Sequence, residues 1–350
     1  MRSNYINALK GLAIFLMLWG HCIQICIPYG CDFFENTVFK FIYSFHMPLF
    51  MLISGYLFYF SSEKRNLKEL LLRRCTPLLQ TIVFCGILTY FATTGLFALI
   101  NGDISAFFGA GWLDSLSGLW FLWSVLSASI ALGIVCKMTN KLWLQIILLI
   151  FGVVFVALFP NAINNIFMYP YYVIGFYFAK YKNKVFHRII NLKYIAIVIF
   201  PILLLFYEKR HYIYTTGLFG RDYSILQYLE IDLFRWIVGL IGSIFVMVLM
   251  ELLYKLKPRF FAFVRETICR IGEKSLQIYV LSCIVLSSYL SAIYPKVIDL
   301  FPKLDLFFAN NIWVYSLCFT FVMAVLYSYG ISLIIKLLER IKLSKFLFGK

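Results

Sequence analysis

The chain has 350 residues, of which 62% are hydrophobic and only 14% are charged. Soluble domains are about half apolar and about a quarter charged, and a soluble chain of this length could not bury so much apolar side chain. The composition therefore excludes soluble globular, disordered and collagen-like proteins. The apolar residues form unbroken runs of about twenty, which is the length of a transmembrane helix and not of a barrel strand. The sequence predicts an all-α, polytopic integral membrane protein.

Ten apolar runs are long enough to predict membrane spans. In chain order they are 6–27, 40–60, 76–100, 119–136, 142–159, 166–179, 194–207, 233–254, 275–294 and 312–335. The sixth and seventh runs are short, and 166–179 could instead be a re-entrant segment. Because no connection is long enough for a folded extramembrane domain, the sequence predicts one transmembrane domain over residues 1–350, with no separate soluble domain.

The net charge is +16, and the basic residues are distributed unevenly between the two sets of connections that alternate along the predicted spans. Of the 32 basic residues, 25 fall on one set of alternate connections and seven on the other. The positive-inside rule makes the richer set cytoplasmic, which predicts that both termini lie in the cytoplasm and that the protein is a multi-pass protein of a bacterial inner membrane. Topology and contact with membrane lipid account for the basic excess, so no nucleic-acid partner is predicted.

Two histidines lie inside predicted spans, where an ionisable side chain is costly and is a functional candidate. His21 precedes the outer end of the first run by six residues, and His46 follows the outer start of the second run by six. At 1.5 Å per residue, each lies about 9 Å below the outer surface. Because antiparallel helices joined by a short loop are neighbours, we predict that the two imidazoles share a polar site. The alternative is that each only hydrogen-bonds a neighbouring helix.

Lys10 precedes His21 by eleven residues, so both lie on one helix face, about 16 Å apart. A cation at the inner end suits an anionic cytoplasmic donor such as a phosphate-bearing cofactor. Taken alone, Lys10 is explained more simply by snorkelling to the lipid headgroups. A neutral imidazole near the outer side suits activation of a hydroxyl. This pattern is typical of a reaction with one substrate on each side of the membrane.

Five segments resemble the membrane-bound acyltransferase family three, in its polysaccharide and fucose O-acetylase-like branch. Lys10, ten residues and His21 resemble the family's Arg, ten residues and His. The second-span run FIYSFHMPLFMLISGYLF at 41–58 is the most specific match. Three later segments also resemble the family: LWFLWSVLS at 119–127, YYVIGFYFAKY at 171–181 and GEKSLQIYVLS at 272–282. The resemblance covers the whole chain in the family's order, with the family's ten spans.

The resemblance implies transfer of an acyl group, usually acetyl, from cytoplasmic acyl-CoA to a hydroxyl of a cell-surface or lipid-linked glycan. It implies acetyl-CoA as donor substrate, with no permanently bound cofactor and no metal. By motif position His21 is the catalytic base, and His46 either stabilises the oxyanion or orients His21. Lys10 takes the place of the donor-binding Arg, with the charge but without the bidentate fork. Ser282 stands where the family often has a late His.

Acceptor-binding candidates come from the predicted outer side. Trp120, Phe121 and Trp123 could form a sugar-stacking wall or an aromatic belt at the membrane interface. Arg235 belongs to a mixed-charge group that could bind a charged glycan or form salt bridges; its other members are Arg221, Asp222, Glu230 and Asp232.

Three other functions fit part of the pattern. A transporter or flippase of a lipid-linked saccharide would line its pathway with charge, whereas the ionisable groups here gather on one helix face and near one depth. A glycan polymerase would ordinarily need a large external loop, and 208–232 is only moderate. A purely structural membrane partner leaves the two histidines unexplained.

Overall fold

A computed structural model describes residues 2–95, 98, 100–103, 111–189, 192–218, 223–284 and 289–348. Over these ranges the chain forms helices joined by turns and contains no β-strand, which confirms the predicted all-α class. The longer helices are α1 (Arg2–Ile25), α2 (Thr37–Glu63), α3 (Leu67–Thr93), α4 (Trp120–Met138), α5 (Leu142–Ala157), α6 (Ala162–Ile189), α7 (Ile195–Leu205), α8 (Ile225–Lys255), α9 (Arg259–Glu273), α10 (Ser275–Ile284), α11 (Ser291–Ile298), α12 (Pro302–Asn310) and α13 (Ile312–Arg340).

Six of these helices are long and apolar enough to cross a membrane, namely α1, α2, α3, α4, α8 and α13. Large apolar side chains also face outward. On α5, for example, Ile150, Phe151 and Val154 are 66–67% exposed, and an apolar side of this kind is stable against lipid and not against water. The protein is therefore an all-α, multi-pass membrane protein. The other four predicted spans coincide with α5, α6, α7 and α10, although residues 285–288 of the ninth lie outside the described ranges; the count of ten stays a prediction.

Two helices extend well beyond the predicted spans. α3 begins at Leu67, upstream of the predicted start at 76, because the Asn66 side chain accepts a hydrogen bond from the Glu69 N–H at 2.9 Å and caps the helix before the apolar run begins. α6 covers 28 residues where the sequence predicted only 166–179. Polar residues at both ends continue one helix, with Pro170 inside it; whether it spans or re-enters the membrane stays a prediction.

The helices form two compact units, one from Met1–Phe50 and Phe186–Ile335 and one from Met51–Val185 and Lys336–Lys350. In the first unit, loops predicted on the same side of the membrane meet each other. At the predicted outer end, Lys209 Nζ lies 2.7 Å from the Asp32 carboxylate and the Tyr29 hydroxyl donates to Asp299 at 3.0 Å. At the predicted inner end, the Tyr254 hydroxyl donates to the α1 backbone. These contacts agree with the predicted alternation of the loops.

In the first unit, α1 and α9 cross in backbone contact at a pair of glycines. A Cβ on Gly11 would lie 1.8 Å from the carbonyl oxygen of Ile268, and one on Gly272 would lie 1.7 Å from that of Asn7. No side chain fits at these distances, so glycine is required for the close approach and not for its φ freedom. Gly272 is the first residue of the GEKSLQIYVLS segment, which gives that motif glycine a packing role.

The second unit contains an equivalent crossing between α2 and α6. A Cβ on Gly55 would lie 1.9 Å from the Tyr172 carbonyl oxygen, and one on Gly175 would lie 2.1 Å from that of Leu52. Both glycines belong to family-like segments, ISGYLF and YYVIGFYF. Small residues that let helix backbones touch are the usual means of association in membranes, where the hydrophobic effect between helices is weak.

Candidate active site

His21 on α1 is held by polar groups of α1 and α2. The Tyr43 hydroxyl lies 3.2 Å from His21 Nδ1 and 3.3 Å from Oε1 of Gln24. A phenol has one hydrogen and an amide oxygen only accepts. When Tyr43 donates to Gln24, Nδ1–H of His21 therefore donates to the Tyr43 oxygen, and Nε2 keeps a lone pair that can take up a proton. When Tyr43 donates to Nδ1 instead, Nε2 carries the hydrogen.

His46 is buried on α2, with only 3% of its surface exposed. Its Nδ1 lies 2.9 Å from the Ile42 carbonyl oxygen one turn earlier. Because a carbonyl oxygen only accepts, Nδ1 carries the hydrogen, and Nε2 of the neutral ring is an acceptor. His46 can donate from Nε2 to an oxyanion only as the imidazolium.

Tyr43 links the two histidines. Its ring centroid lies 6.1 Å from that of His21 and 4.8 Å from that of His46, and its ring stacks on Phe39 at 3.9 Å. The structure thus places both predicted histidines against one tyrosine. Tyr43 and Gln24 were not predicted, because inside the spans only histidines and charged residues stood out as costly. A signal was present, since each lies three residues from a histidine and residues at that spacing share a helix face.

Aromatic residues continue from Tyr43 to the predicted outer end. Tyr214 lies in the single helical turn Ile213–Thr216. Its ring centroid is 6.2 Å from that of Tyr43 and 5.9 Å from that of Phe34. The ring centroid of Tyr212 is 5.7 Å from that of Tyr214 and 5.1 Å from that of Phe34. We call Phe34, Phe39, Tyr43, Tyr212 and Tyr214 the outer aromatic cluster. Its rings connect the loop surface to the two histidines.

Polar contacts of the loops fix the outer aromatic cluster. Asp32 accepts from the Phe34 N–H at 3.0 Å and from Lys209 at 2.7 Å, and the bond from Lys209 holds the pKa of the carboxyl below its usual range. The Lys209 ammonium lies 4.7 Å above the Phe34 ring. His211 accepts the Glu208 N–H at Nδ1, and burial lowers its pKa to about 4, so this histidine is neutral at neutral pH.

Lys10 lies at the opposite end of α1, beside the crossing with α9. Burial raises the pKa of the Cys269 thiol on α9, and the positive charge of Lys10 partly opposes that shift. Lys10 therefore borders the amphipathic helix α9 at the predicted inner side. In the described part of the chain, no three His, Cys, Asp or Glu side chains lie close enough together to hold a metal ion.

Arg235 on α8 is 1% exposed and is held inside the protein. Its guanidinium donates to the Gly217 carbonyl oxygen at 3.1 Å and to the Thr216 hydroxyl at 2.9 Å, and it pairs with Asp232 at 3.1 Å. These bonds hold the end of the turn that carries Tyr214. Arg221 and Asp222 lie outside the described residues.

Trp120, Phe121 and Trp123 lie at the start of α4 in the second unit. The Trp123 indole N–H donates to the Leu116 carbonyl oxygen at 3.0 Å, and Phe121 is buried. Trp120 is half-buried and packs edge-to-face on Phe121, with ring centroids 6.0 Å apart. A sugar-binding role for these three aromatic residues stays a prediction.

Residues 3–333 match the family described as "Acyltransferase domain". The curated relatives include two proteins called Nodulation protein NolL. The one from Sinorhizobium fredii (strain NBRC 101917 / NGR234) is 33% identical over 190 residues, 51% of this chain and 49% of that protein. The one from Mesorhizobium japonicum (strain LMG 29417 / CECT 9101 / MAFF 303099) is 29% identical over 207 residues, 55% and 52% respectively. The chain thus spans about half the length of these relatives. No solved structure matches.

Proposed function

Because the chain belongs to the acyltransferase family matched over residues 3–333, we propose that it is a membrane O-acyltransferase that moves an acetyl group from acetyl-CoA to a hydroxyl of a glycan. The single observation that carries this proposal is the contact of His21 and His46 with one tyrosine inside the helices. An intramembrane pair of imidazoles provides a base where a membrane protein otherwise avoids polar groups.

In the proposed reaction, Nε2 of His21 takes the proton of the acceptor hydroxyl. The acceptor oxygen then bonds to the acyl carbonyl carbon, and the carbon–sulfur bond of the thioester breaks. The thiolate of coenzyme A leaves and takes up the proton that His21 released, which restores the base. The chain of bonds from His21 Nδ1–H through Tyr43 to Gln24 supports this role, because in the arrangement in which Tyr43 donates to Gln24 the Nε2 atom is left free as a base. Tyr43 and Gln24 are positioning residues in this scheme.

His46 acts beside this base. The bond to Ile42 makes its Nε2 an acceptor in the neutral ring. We therefore infer that His46 first accepts a hydrogen bond or proton and can stabilise the oxyanion only after protonation. Both histidines are needed in this scheme, but for different steps.

The donor side is proposed for the inner end of α1, where Lys10 would bind a phosphate of acyl-CoA. A cytoplasmic donor and a glycan acceptor on the other side suit a bacterial inner-membrane location. The predicted 25 to 7 division of basic residues supports this orientation.

The donor proposal predicts that Lys10→Gln raises the KM for acetyl-CoA about tenfold, because one charge-assisted bond to phosphate is lost. Lys10→Arg should keep the KM near that of the wild type. Lys257→Gln removes an exposed lysine from the connection between α8 and α9 and is the matched control. An unchanged KM in Lys10→Gln would assign Lys10 to lipid headgroups instead.

Tyr43→Phe removes one hydroxyl and keeps the ring that stacks on Phe39. We expect kcat to fall about 10- to 100-fold with both KM values unchanged, because His21 loses the group that orients it. Tyr315→Phe is the control, since the Tyr315 hydroxyl donates to the α1 backbone at Ile23 and touches neither histidine. Kinetics and thermal stability should be measured for both variants. If Tyr43→Phe lowers stability but not kcat, the hydroxyl is only structural.

The function itself is tested by NMR of the surface glycan from cells that lack the chain, with and without the wild-type gene restored. O-acetyl signals should vanish in the deletion and return with the gene, while the glycan is still made. Loss of the surface glycan itself would favour a flippase of its lipid-linked precursor. Normal acetylation in the deletion would remove the glycan assignment.

A further inference from the structure

The outer aromatic cluster contains one side chain that its neighbours do not cover. Tyr214 is 51% exposed, although its ring contacts Phe34, Tyr43 and Tyr212. The other four members are buried or half-buried. A ring that is open on one side and packed on the other presents a flat apolar surface beside the active site.

The turn that carries Tyr214 is rigid before any ligand binds. The Thr215 hydroxyl lies 2.7 Å from the carbonyl oxygens of both Lys209 and Tyr212 and shares its one hydrogen between them. Arg235 holds the other side of the turn through Thr216 and Gly217. Little conformational entropy is therefore lost when a ligand stacks on Tyr214. The buried Arg235 of α8 thus has a structural role, because it holds this turn in place.

Tyr214 is close to the histidines. Its ring centroid is 6.2 Å from that of Tyr43, which is 6.1 Å from that of His21. The Tyr214 ring centroid is therefore at most 12.3 Å from that of His21, a distance that a glycan of a few sugars can span. The hydrogen-bonding groups of Asp32 and Lys209 lie next to Phe34, which contacts the Tyr214 ring.

Each of the three described cations around the turn is paired with a carboxylate. Lys209 pairs with Asp32 at 2.7 Å, and Arg210 with Glu208 at 3.0 Å. The nearest buried cation, Arg235, pairs with Asp232. Glu35, next to Phe34, adds a negative charge near Tyr212. The described residues named here therefore carry no excess of positive charge, so this surface suits a neutral ligand better than a phosphate or a carboxylate.

The geometry points to Tyr214 as the stacking platform for a neutral pyranose of the acceptor glycan, with Arg235 as the residue that positions it. This inference rests on the proposed O-acyltransferase function and deepens it, since it names the chemical class of the acceptor. A pyranose has an apolar C–H face that packs on an aromatic ring and hydroxyls at its edge, which here meet the Asp32–Lys209 pair.

The test uses the full-length protein in membranes, with radiolabelled acetyl-CoA as donor. The acceptors are oligosaccharides released from the surface glycan of cells that lack the chain, separated by anion exchange into neutral and anionic fractions. We expect transfer to the neutral fraction, and an acceptor KM about tenfold higher in Tyr214→Ala, with the KM for acetyl-CoA unchanged. The KM is independent of the amount of folded protein, so a lower abundance of the variant does not obscure the result.

Tyr214→Phe keeps the ring and should retain the wild-type acceptor KM. Tyr29→Ala removes another exposed tyrosine of the same end, bonded to Asp299 and outside the cluster, and should also behave as the wild type. An acceptor KM of Tyr214→Ala within about twofold of the wild type overturns the inference and leaves the acyltransferase proposal standing. Preferred transfer to the anionic fraction, or a parallel rise in the KM for acetyl-CoA, also overturns it. If the wild type acetylates neither fraction, the proposed function fails together with the inference.

Discussion

Replacement of His21 by alanine is expected to lower the rate of acetyl transfer about a thousandfold, because the reaction loses its general base. His21→Gln should be as inactive as His21→Ala, since an amide can still hydrogen-bond Tyr43 but cannot take up a proton. The measurement is transfer from radiolabelled acetyl-CoA to glycan in membranes, at matched abundance of each variant.

Added imidazole provides a sharper control for this prediction. If His21 acts as a base, His21→Gly should regain part of its activity with free imidazole, whereas His21→Gln, in which a side chain fills the space, should not. A His21→Ala, His46→Ala double variant that keeps wild-type activity would contradict the mechanism altogether.

A side chain at Gly11 or Gly272 is expected to cause the largest loss of stability in the first unit. Gly272→Leu would bring carbon atoms onto the backbone of α1, where even a Cβ would lie only 1.7 Å from the carbonyl oxygen of Asn7. Relief requires the two helices to separate, and we expect a cost of at least about 2–3 kcal/mol in the free energy of unfolding. The purified protein in detergent should therefore lose its monodisperse elution peak at a clearly lower temperature than the wild type.

Gly330→Ala is the matched control for this prediction. Gly330 lies in α13, and a Cβ added there would have no neighbouring atom within 4 Å, so alanine meets open space. The thermal stability of this variant should equal or slightly exceed that of the wild type, because alanine favours helix over glycine by about 1 kcal/mol. Equal stability of Gly272→Leu and the wild type would show that α1 and α9 do not depend on this crossing.

Hydropathy alone determined the membrane class, the helical fold and the approximate place of the six long apolar helices. The reason is that a lipid environment forces the backbone to satisfy its own hydrogen bonds, so each long apolar run becomes a helix. Helix ends were less predictable. At α3, capping by Asn66 starts the helix before the apolar run, and at α6 polar residues continue it past the run on both sides.

The histidines could be found from sequence because an ionisable residue at that depth is rare. Tyr43 and Tyr214 could not be ranked in this way, since a chain with 24 tyrosines contains many that serve only packing, and Gln24 carries no charge. The roles proposed for them depend on contacts between α1, α2 and the turn Ile213–Thr216, segments far apart in the sequence.

The role of Arg235 could not be predicted from the sequence either. Its charge and position suggested a ligand-binding residue, whereas the tertiary structure surrounds it with Asp232, Thr216 and Gly217. The sequence determined that a cation lies in α8. Only the packing decided that its donors point to the protein, because a buried guanidinium is stable where its hydrogen bonds are met by groups from another segment.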